Sequence, residues 1–371
     1  MEARMEEILI CPVTQERLQA LTGDELAQIN RSIAQKELVF YDGRPVLRGL
    51  TAGYRSAKSG YAYAQEEGIL YLLRKDAVVL APAVGRGEAR ANLRKEKQEV
   101  KQFYDQVGWQ KDEEGQYVDY QTHTDQRPFF QEYASRCYLR LKKYLRSQGT
   151  YFLDVASGPI AGADTLTLSR AFAFHVCVDL SRRALVEAKT KLGEKGIYLL
   201  ADITNLPLRD ESMDAVISIG TIYHVPADEQ GRAFQELHRV LRPGGTAAVA
   251  YSWGNEFLPA KLMHFLNSIL GKRPKALLER LWGKNLGSVP PGSGVPSLYF
   301  HAHPYSWFNR SNLGFEVQIL SLSSLNQILS QLIIQPWLFG RQILRMIFAL
   351  EEKFPRFFGR WGQYPLILIR K

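Results

Sequence analysis

The stretch YFLDVASGPI, residues 151–160, decides the fold. It opens with a short apolar run that contains one acid, and small, turn-forming residues follow at once. This pattern predicts a buried strand that ends in a tight loop. Four further apolar runs alternate with segments of helical periodicity: 174–179, 196–202, 213–220 and 246–253. Strands that alternate with helices predict βαβ units, and hence an α/β fold with a parallel sheet.

Acidic residues close three of the predicted strands. Asp154 stands at the end of the first, Asp179 ends the second and Asp202 ends the third, at spacings of 25 and 23 residues. Because the carboxyl ends of parallel strands share one edge of a sheet, we expect these carboxylates to converge where such sheets bind ligands. They would accept hydrogen bonds from an ammonium group, a ribose diol and an adenine amine. The loop after the first strand leads into a predicted helix, whose N-terminal N–H groups favour a carboxylate.

Each of the three acids also has a structural interpretation. Asp179 could cap the helix that follows it, Asp202 could be a turn residue, and Asp154 could orient its loop without touching a ligand. The order and register of the three together favour a ligand site.

In this order the motifs resemble those of the class I S-adenosylmethionine-dependent methyltransferases, over residues 100–255 and the last strand. FLDVASGPI resembles the family's first motif, an acid followed by GxGxG. VDLS resembles the acidic motif of the second strand, and LRPGG before a strand is a further hallmark. The resemblance implies an α/β fold: a Rossmann-like, doubly wound, seven-stranded methyltransferase sheet with a small N-terminal α+β domain and a helical C-terminal insertion. It also implies S-adenosyl-L-methionine as the cofactor.

The resemblance assigns cofactor-binding roles residue by residue. Asp154, Ala156 and Gly158 would line the methionine part of the cofactor. Asp179 would hold the ribose hydroxyls, and Asp202 would contact adenine. The remaining cofactor-binding residues would be Tyr104, Ser157, Leu180, Ile203, Gly220 and Thr221.

Two residues replace glycines of the family's first motif. Ala156 adds one methyl group, which is tolerated where φ is negative. Ile160 is bulkier, and we expect the loop to be displaced there.

The candidate catalytic residues are His224 and Tyr223, in GTIYHVP after the fourth strand. His224 is either a general base or wall of the acceptor pocket, or a structural histidine held by hydrogen bonds. Tyr223 either lines that pocket or packs in the core. Tyr104, in KQFYDQVGW, resembles the N-terminal lid helix of the family and could instead serve helix packing. Methyl transfer mainly requires an aligned acceptor and the exclusion of water.

The first 80 residues have a resemblance of their own. ILICPVTQERL, LVFYDG and YAYAQEEGILYLL resemble the small zinc-ribbon-like proteins that partner RNA and protein methyltransferases. In that family CPxC supplies zinc ligands, whereas here Thr14 follows Cys11 at the second position and no later cysteine pair exists. Structural zinc needs four ligands, so we predict no metal. The unit is then a degenerate scaffold or a cover for the active site.

The chain divides into four predicted segments: a small domain (1–80), a linker with a lid helix (81–128), the cofactor-binding core (129–255), and a helical substrate-pocket insertion with the last strands (256–371). The last segment carries 14 Lys or Arg against 5 Glu and so accounts for the whole net charge of +9. A basic segment could meet an acidic substrate, an anionic membrane or RNA, or be a solvated face.

The location of the protein follows from what its sequence lacks. The N-terminus has no signal-peptide pattern, no stretch is clean enough for a membrane span, and three scattered cysteines give no disulfide framework. We therefore expect a cytoplasmic protein. The apolar face from Leu325 to Ile333, near Arg341 and Arg345, either rests peripherally on an anionic membrane or packs as a lid over the pocket.

Three functions remain after these observations. The first is methylation of a small lipophilic acceptor at O, N or C, in lipid, quinone or secondary-metabolite synthesis, with no nucleic-acid partner. It is favoured by the aromatic C-terminal segment and by a loose resemblance of its tail to ubiquinone- and menaquinone-type methyltransferases. The second is an RNA or protein methyltransferase, although GTIYHVP stands where the Asn/Asp-Pro-Pro-Tyr signature would be. The third is a catalytically silent binding partner.

Overall fold

The computed structural model describes residues 2–80, 93–259, 261 and 298–371. Its strands are β1 (Leu18–Ala20), β2 (Val39–Phe40), β3 (Gly53–Ser56), β4 (Tyr61–Glu66), β5 (Ile69–Tyr71), β6 (Val78–Val79), β7 (Gly149–Val155), β8 (Phe172–Asp179), β9 (Gly196–Leu200), β10 (Met213–Ile219), β11 (Leu241–Ala250), β12 (Val317–Ser323) and β13 (Tyr364–Arg370). Its α-helices are α1 (Glu2–Ile8), α2 (Gly23–Ala34), α3 (Lys95–Phe103), α4 (Val118–His123), α5 (Pro128–Leu139), α6 (Ala163–Ser169), α7 (Arg182–Leu192), α8 (Gln230–Val240), α9 (Tyr305–Arg310), α10 (Gln327–Ile333), α11 (Gly340–Lys353) and α12 (Pro355–Trp361).

Seven strands form the central sheet, in the order β9-β8-β7-β10-β11-β13-β12. The pairs from β9 to β11 are parallel, and β13 pairs antiparallel with both β11 and β12. Asp154 pairs with Cys177, and Asp179 pairs with Leu200, so β7, β8 and β9 end at one edge. The expected α/β, seven-stranded, doubly wound fold is confirmed, and the predicted strands at 174–179, 196–202 and 213–220 are confirmed to within two residues.

The RPGG segment (242–245), which precedes the predicted strand at 246–253, lies within β11. Pairing with β10 passes from Met213 opposite Leu241 to Ala215 opposite Thr246, so the segment is looped out as a bulge in one continuous strand. Gly244 has a φ of 74°, which a glycine adopts without steric cost. A bulge accommodates the proline and the two glycines, so the strand continues through the segment.

The N-terminal unit is joined to the central sheet. Strand β5 pairs in parallel with β9, with Ile69 opposite Tyr198 and Tyr71 opposite Leu200. Side chains of the unit, among them Leu9 and Tyr63, share one hydrophobic cluster with residues of β7 to β11. The first 80 residues therefore extend the sheet of the core. The predicted segment boundaries stay a prediction, and most of the expected linker, residues 81–92, lies outside the described part of the chain.

A chain of hydroxyl groups lies beside Cys11, where the zinc-ribbon-like proteins that this unit resembles have their zinc ligands. The sulfur of Cys11 accepts the Thr14 N–H at 3.4 Å and lies 3.1 Å from the Tyr63 hydroxyl. Thr14 Oγ1 lies 3.1 Å from Ser59 Oγ, which donates to Ser56 Oγ at 2.7 Å. Within the described residues no three His, Cys, Asp or Glu side chains are grouped as a metal site. The absence of zinc stays a prediction.

The C-terminal helices α10 to α12 lie between β12 and β13 in the chain and pack beside α5. Leu325 belongs to a hydrophobic cluster with Phe130 and Tyr133, and Leu329 packs against that cluster. This part of the predicted apolar face therefore points inward. The side chains of Ile328, Leu332 and Ile333, and most of the predicted helix at 256–285 and the loop at 287–297, lie outside the described residues. No helix in the part of the chain that the structure describes is long and apolar enough to cross a bilayer.

Candidate active site

The carboxylate of Asp179 is buried at the carboxyl edge of the sheet. Its Oδ2 accepts the Gly158 N–H at 2.9 Å, and its Oδ1 accepts the Ser181 N–H at 2.8 Å. Burial raises the pKa of Asp179 to about 6, the two N–H donors oppose that rise, and the nearby carboxylates of Asp105 and Asp154 add to it. Asp179 therefore ties the loop after β7 to the end of β8. The cap of α7 is Ser181, whose side chain accepts the Ala184 N–H.

The loop after β7 adopts the left-handed conformation at every second residue. The φ angles are 55° at Ala156, 56° at Gly158 and 53° at Ile160. The condition under which Ala156 was considered tolerable, a negative φ, is not met in the structure, where the Ala156 N–H donates to the Val178 carbonyl at 2.7 Å. Two non-glycine residues thus keep a backbone that favours glycine, at a cost of about 1–2 kcal/mol each.

Ile160 does not displace this loop in the way we expected. Its side chain is buried in a cluster with Cys177 and Leu185. Its carbonyl and that of Pro159 accept the Lys191 ammonium at 2.8 and 2.7 Å. Packing and these hydrogen bonds stabilise the turn against its backbone strain. Ser157, the remaining residue of the loop, donates from its hydroxyl to the Gly158 carbonyl at 3.2 Å.

Asp202 combines a capping role with an ion pair. Its Oδ1 accepts both the N–H and the hydroxyl of Thr204 at 2.9 Å, and its Oδ2 accepts the Lys97 ammonium at 2.7 Å. The neighbouring Ile203 side chain packs in the main core. Leu180, after Asp179, packs against the cluster that contains Leu185. The structural role of Asp202 is thus visible, and its contact with adenine stays a prediction.

An aromatic pair from the lid covers the loop. A π-helical turn, Tyr104–Gly108, follows α3, and the Trp109 N–H donates to the Tyr104 carbonyl at 3.0 Å. The two rings stack with centroids 4.8 Å apart. A Cβ added to Gly158 would lie 2.9 Å from the indole of Trp109, so only glycine fits beneath it. Burial raises the pKa of Tyr104 well above its ordinary value, which keeps the phenol neutral.

Trp109 was not predicted as a site residue, for a geometric reason. In an α-helix of 3.6 residues per turn, positions five apart point in different directions. The i to i+5 hydrogen bond of a π turn instead brings residue five back over residue zero. Only the pattern KQFYDQVGW, with aromatic residues at both ends of this spacing, could have suggested the pair.

His224 lies beside the lid, after β10. Its Nδ1 lies 2.6 Å from the carbonyl oxygen of Tyr299. Because a carbonyl only accepts, Nδ1 carries a proton and donates it in this hydrogen bond. The ring is 6.3 Å from Tyr104 and 6.0 Å from Phe300, centroid to centroid. Tyr299 and Phe300, which the sequence did not single out, thus orient and enclose this histidine.

The residues before His224 set the turn at the end of β10. Gly220 has a φ of 70°, and its N–H donates to the Ala250 carbonyl at 3.1 Å. Thr221 donates from its hydroxyl to the Ile219 carbonyl at 3.2 Å. Tyr223 is packed against the Phe300 ring at 5.0 Å, and burial, followed by Tyr364, raises the pKa of its phenol. Tyr223 is therefore a neutral residue that packs against the main hydrophobic cluster, and its contact with an acceptor stays a prediction.

An apolar cavity of about 200 Å³ opens at the same edge of the sheet. Its lining includes Phe130, Tyr133, Ala134, Tyr138, Leu322 and Tyr364. Tyr364 starts β13, which runs antiparallel to β11, so it lies at the edge where β7 and β10 end. Burial, followed by the Asp154 carboxylate, raises the pKa of Tyr138, whose hydroxyl lies 2.7 Å from that of Thr165. Two lining residues connect the cavity to the predicted site: Tyr138 interacts with the Asp154 carboxylate, and Tyr364 interacts with Tyr223.

Comparison with known proteins identifies this region. Residues 153–249 match the family described as a methyltransferase domain. The probable tRNA methyltransferase 9B of Homo sapiens is 29% identical over 186 residues, which are 48% of this chain and 37% of that protein. The phthiotriol/phenolphthiotriol dimycocerosates methyltransferase 1 of Mycobacterium ulcerans is 31% identical over 109 residues, 29% of this chain and 40% of that protein. The chain thus spans well under half the length of both relatives.

A solved complex between the Haloferax volcanii Trm112 methyltransferase activator and a methyltransferase has a TM-score of 0.39 and 17% identity, covering 64% of this chain and 88% of that one. The family match includes the ends of β7, β8, β9 and β10, where the predicted cofactor residues from Asp154 to Thr221 lie. The chain therefore contains a methyltransferase domain of the class that uses S-adenosylmethionine.

Proposed function

We propose that the protein transfers a methyl group from S-adenosylmethionine to a small lipophilic acceptor. The observation that carries this proposal is the apolar cavity, whose lining residue Tyr138 interacts with the strand-end acid Asp154. A dry cavity of about 150 Å³ is enough to hold benzene, so a cavity slightly larger suits a ring or the end of an apolar chain. Its polar groups are uncharged and include the phenols of Tyr133, Tyr138 and Tyr364, which could orient such a group.

The residues at the carboxyl edge fit the cofactor. Asp154 and the loop from Ala156 to Gly158 would hold its methionine part, Asp179 its ribose hydroxyls, and Asp202 with Ile203 its adenine. When bound there, S-adenosylmethionine supplies a methyl group activated by a sulfonium. The stacked rings of Tyr104 and Trp109 cover the loop at Gly158 and would exclude water from it.

His224 would act as general base for an acceptor hydroxyl. When an acceptor hydroxyl is methylated, its proton would pass to Nε2 of His224. The Tyr299 carbonyl supports this role because it holds a proton on Nδ1, which leaves Nε2 as the nitrogen that would take up the second proton. Tyr223 and Phe300 would form the wall that keeps the acceptor aligned.

Methylation of RNA is the second candidate, favoured by one observation. The human relative with 29% identity is named as a tRNA methyltransferase. An RNA substrate would meet a positively charged surface, and its affinity would fall steeply with salt. The two candidates differ in where the acceptor binds, since a base is far more polar than the cavity lining.

Radiolabelled methyl transfer to a lipid extract and to total tRNA, run in parallel, tests the choice. Transfer to the lipid extract supports the proposal, and transfer to tRNA alone contradicts it.

The substitution Ala134→Phe fills the cavity and should raise KM for a lipophilic acceptor at least about tenfold, since the ring of the acceptor is excluded. Calorimetric binding of S-adenosylmethionine should be unchanged. Ala27→Phe, at an exposed helical alanine of the N-terminal unit, is the matched control.

A further inference from the structure

The outer face of the C-terminal helices exposes large apolar side chains along α11 and α12. We define this outer face by Trp337, Phe339, Met346, Leu350, Phe354 and Phe357, whose exposed fractions are 74, 72, 57, 37, 48 and 52%. Steps of four residues, from 346 to 350 to 354, keep the last members in line along one helical face. The opposite side of α11, with Leu344 and Glu351, is buried. Within the described residues these six are a majority of the exposed large apolar side chains.

Cations surround this outer face. Arg341 and Arg345 are more than half exposed, and both pair with Glu132, at 3.4 and 3.7 Å. Lys353, Arg356 and Arg360 are also exposed. The sequence from 336 to 361 therefore presents five cations to the surroundings of the apolar stripe.

The two acids of this segment point away from the outer face. Glu351 is fully buried and accepts the Arg140 guanidinium at 3.0 Å. Glu352 pairs with the same guanidinium at 2.5 Å and with Lys143. The outer face is thus both apolar and positively charged, because Glu351 is buried and Glu352 is paired with Arg140 and Lys143.

Phe339, the residue directly before α11, has a strained backbone. Its φ is 55° and its ψ is 37°, which is the left-handed conformation. A bulky side chain in this conformation is a true outlier and costs on the order of 1–3 kcal/mol. The turn nevertheless places the ring in solvent, 72% exposed, rather than in the core. Within the described residues, the Phe339 ring gains no burial that would offset the backbone strain. Burial of the ring in a lipid bilayer would offset it.

We infer that the outer face docks on an anionic lipid bilayer. Aromatic and aliphatic side chains enter the boundary between head groups and acyl chains, and flanking Lys and Arg attract acidic head groups. An RNA backbone would attract the cations, but it would not bury the apolar side chains of Met346, Leu350 or Phe354. The docking surface differs from the segment around Leu325, whose side chain the structure places in the interior.

Co-sedimentation of the full-length protein with vesicles tests the inference, without cofactor or acceptor, so the result does not depend on methyl transfer. The vesicles contain phosphatidylcholine with about 30 mol% phosphatidylglycerol, or phosphatidylcholine alone. We expect binding to the anionic vesicles that weakens as salt is raised. Replacement of Arg341 and Arg345 by Gln should lower the affinity about thirtyfold.

The apolar contribution has its own variant. Replacement of Phe339, Phe354 and Phe357 by Ser should lower the affinity about a hundredfold or more, and the circular dichroism spectrum of the variant checks that it is folded. The matched control is Leu47→Ser with Arg48→Gln, an equally exposed apolar and basic pair on the N-terminal unit, which should bind as the wild type does. Equal vesicle binding by all variants overturns the inference. So does binding of the wild type to single-stranded RNA but to neither vesicle.

Discussion

The ammonium of Lys97 lies 2.7 Å from Oδ2 of Asp202. The same nitrogen is 2.7 Å from the Thr204 hydroxyl and 2.5 Å from the Glu229 carboxylate. Its side chain is only 6% exposed, unusual for a lysine. The lid helix α3 is thus attached by one buried cation to the loop that follows β9, at the predicted adenine end of the site.

Replacement of Lys97 by Met should release the lid. The change leaves two carboxylates without their shared cation, so the free energy of unfolding should fall by about 1–3 kcal/mol, less than for a fully buried pair because both acids are partly exposed. Hydrogen exchange of the α3 amides should rise in the native state. Lys95→Met is the matched control, since the Lys95 side chain is 87% exposed. If the α3 amides are equally protected from exchange in both variants, Lys97 does not hold the lid helix in place.

Cofactor affinity should depend on pH through Asp179. The ribose hydroxyls need the carboxylate as acceptor, and burial raises its pKa to about 6. Binding should therefore be constant above pH 7 and weaken about tenfold per pH unit well below pH 6, as the carboxylate becomes protonated. Calorimetry across this range measures it. Asp179→Asn should bind more weakly with a flat profile, and Asp105→Asn should move the midpoint to lower pH because Asp105 raises the pKa of Asp179.

The two left-handed residues of the loop should respond oppositely to glycine. Ala156→Gly removes backbone strain and little packing, so stability should rise by about 0.5–1 kcal/mol after the larger entropy of the unfolded chain is counted. Ile160→Gly relieves the same strain but empties a buried site, and stability should fall by about 2–4 kcal/mol. Chemical unfolding of both variants measures the difference. A loss of stability in Ala156→Gly would show that its conformation is not strained.

The hydroxyl chain at Thr14, Ser56 and Ser59 should convert into a metal site. Its members are linked by hydrogen bonds of 2.7 and 3.1 Å, and Cys11 contacts Thr14. Replacing all three by Cys should give four thiolates that bind one Co²⁺, seen by its visible absorption, and the wild type should bind none. The variant that keeps Ser56 offers three thiolates and should bind more weakly. Failure of the triple variant to bind would mean that Cys11 points away from the cluster.

Local patterns were enough for the strands and for the acids at their ends. What they could not give depends on contacts distant in sequence. The sign of φ at Ala156 follows from a hydrogen bond to β8, and the role of Asp202 follows from Lys97, 105 residues earlier. Trp109 was missed because a π turn breaks the 3.6-residue period on which helical patterns depend. Propensity describes neighbours in the chain, whereas these features describe neighbours in space.

The parallel pairing of β5 with β9 means that the N-terminal unit covers the edge of the sheet from within the same chain. A separate subunit would cover the edge of the sheet only in proportion to its abundance in the cell. Because β5 belongs to the same chain, its local concentration at β9 is in the mM range, set by the length of connecting chain rather than by expression. The edge strand, otherwise open to other chains, is thus covered even when the protein is scarce.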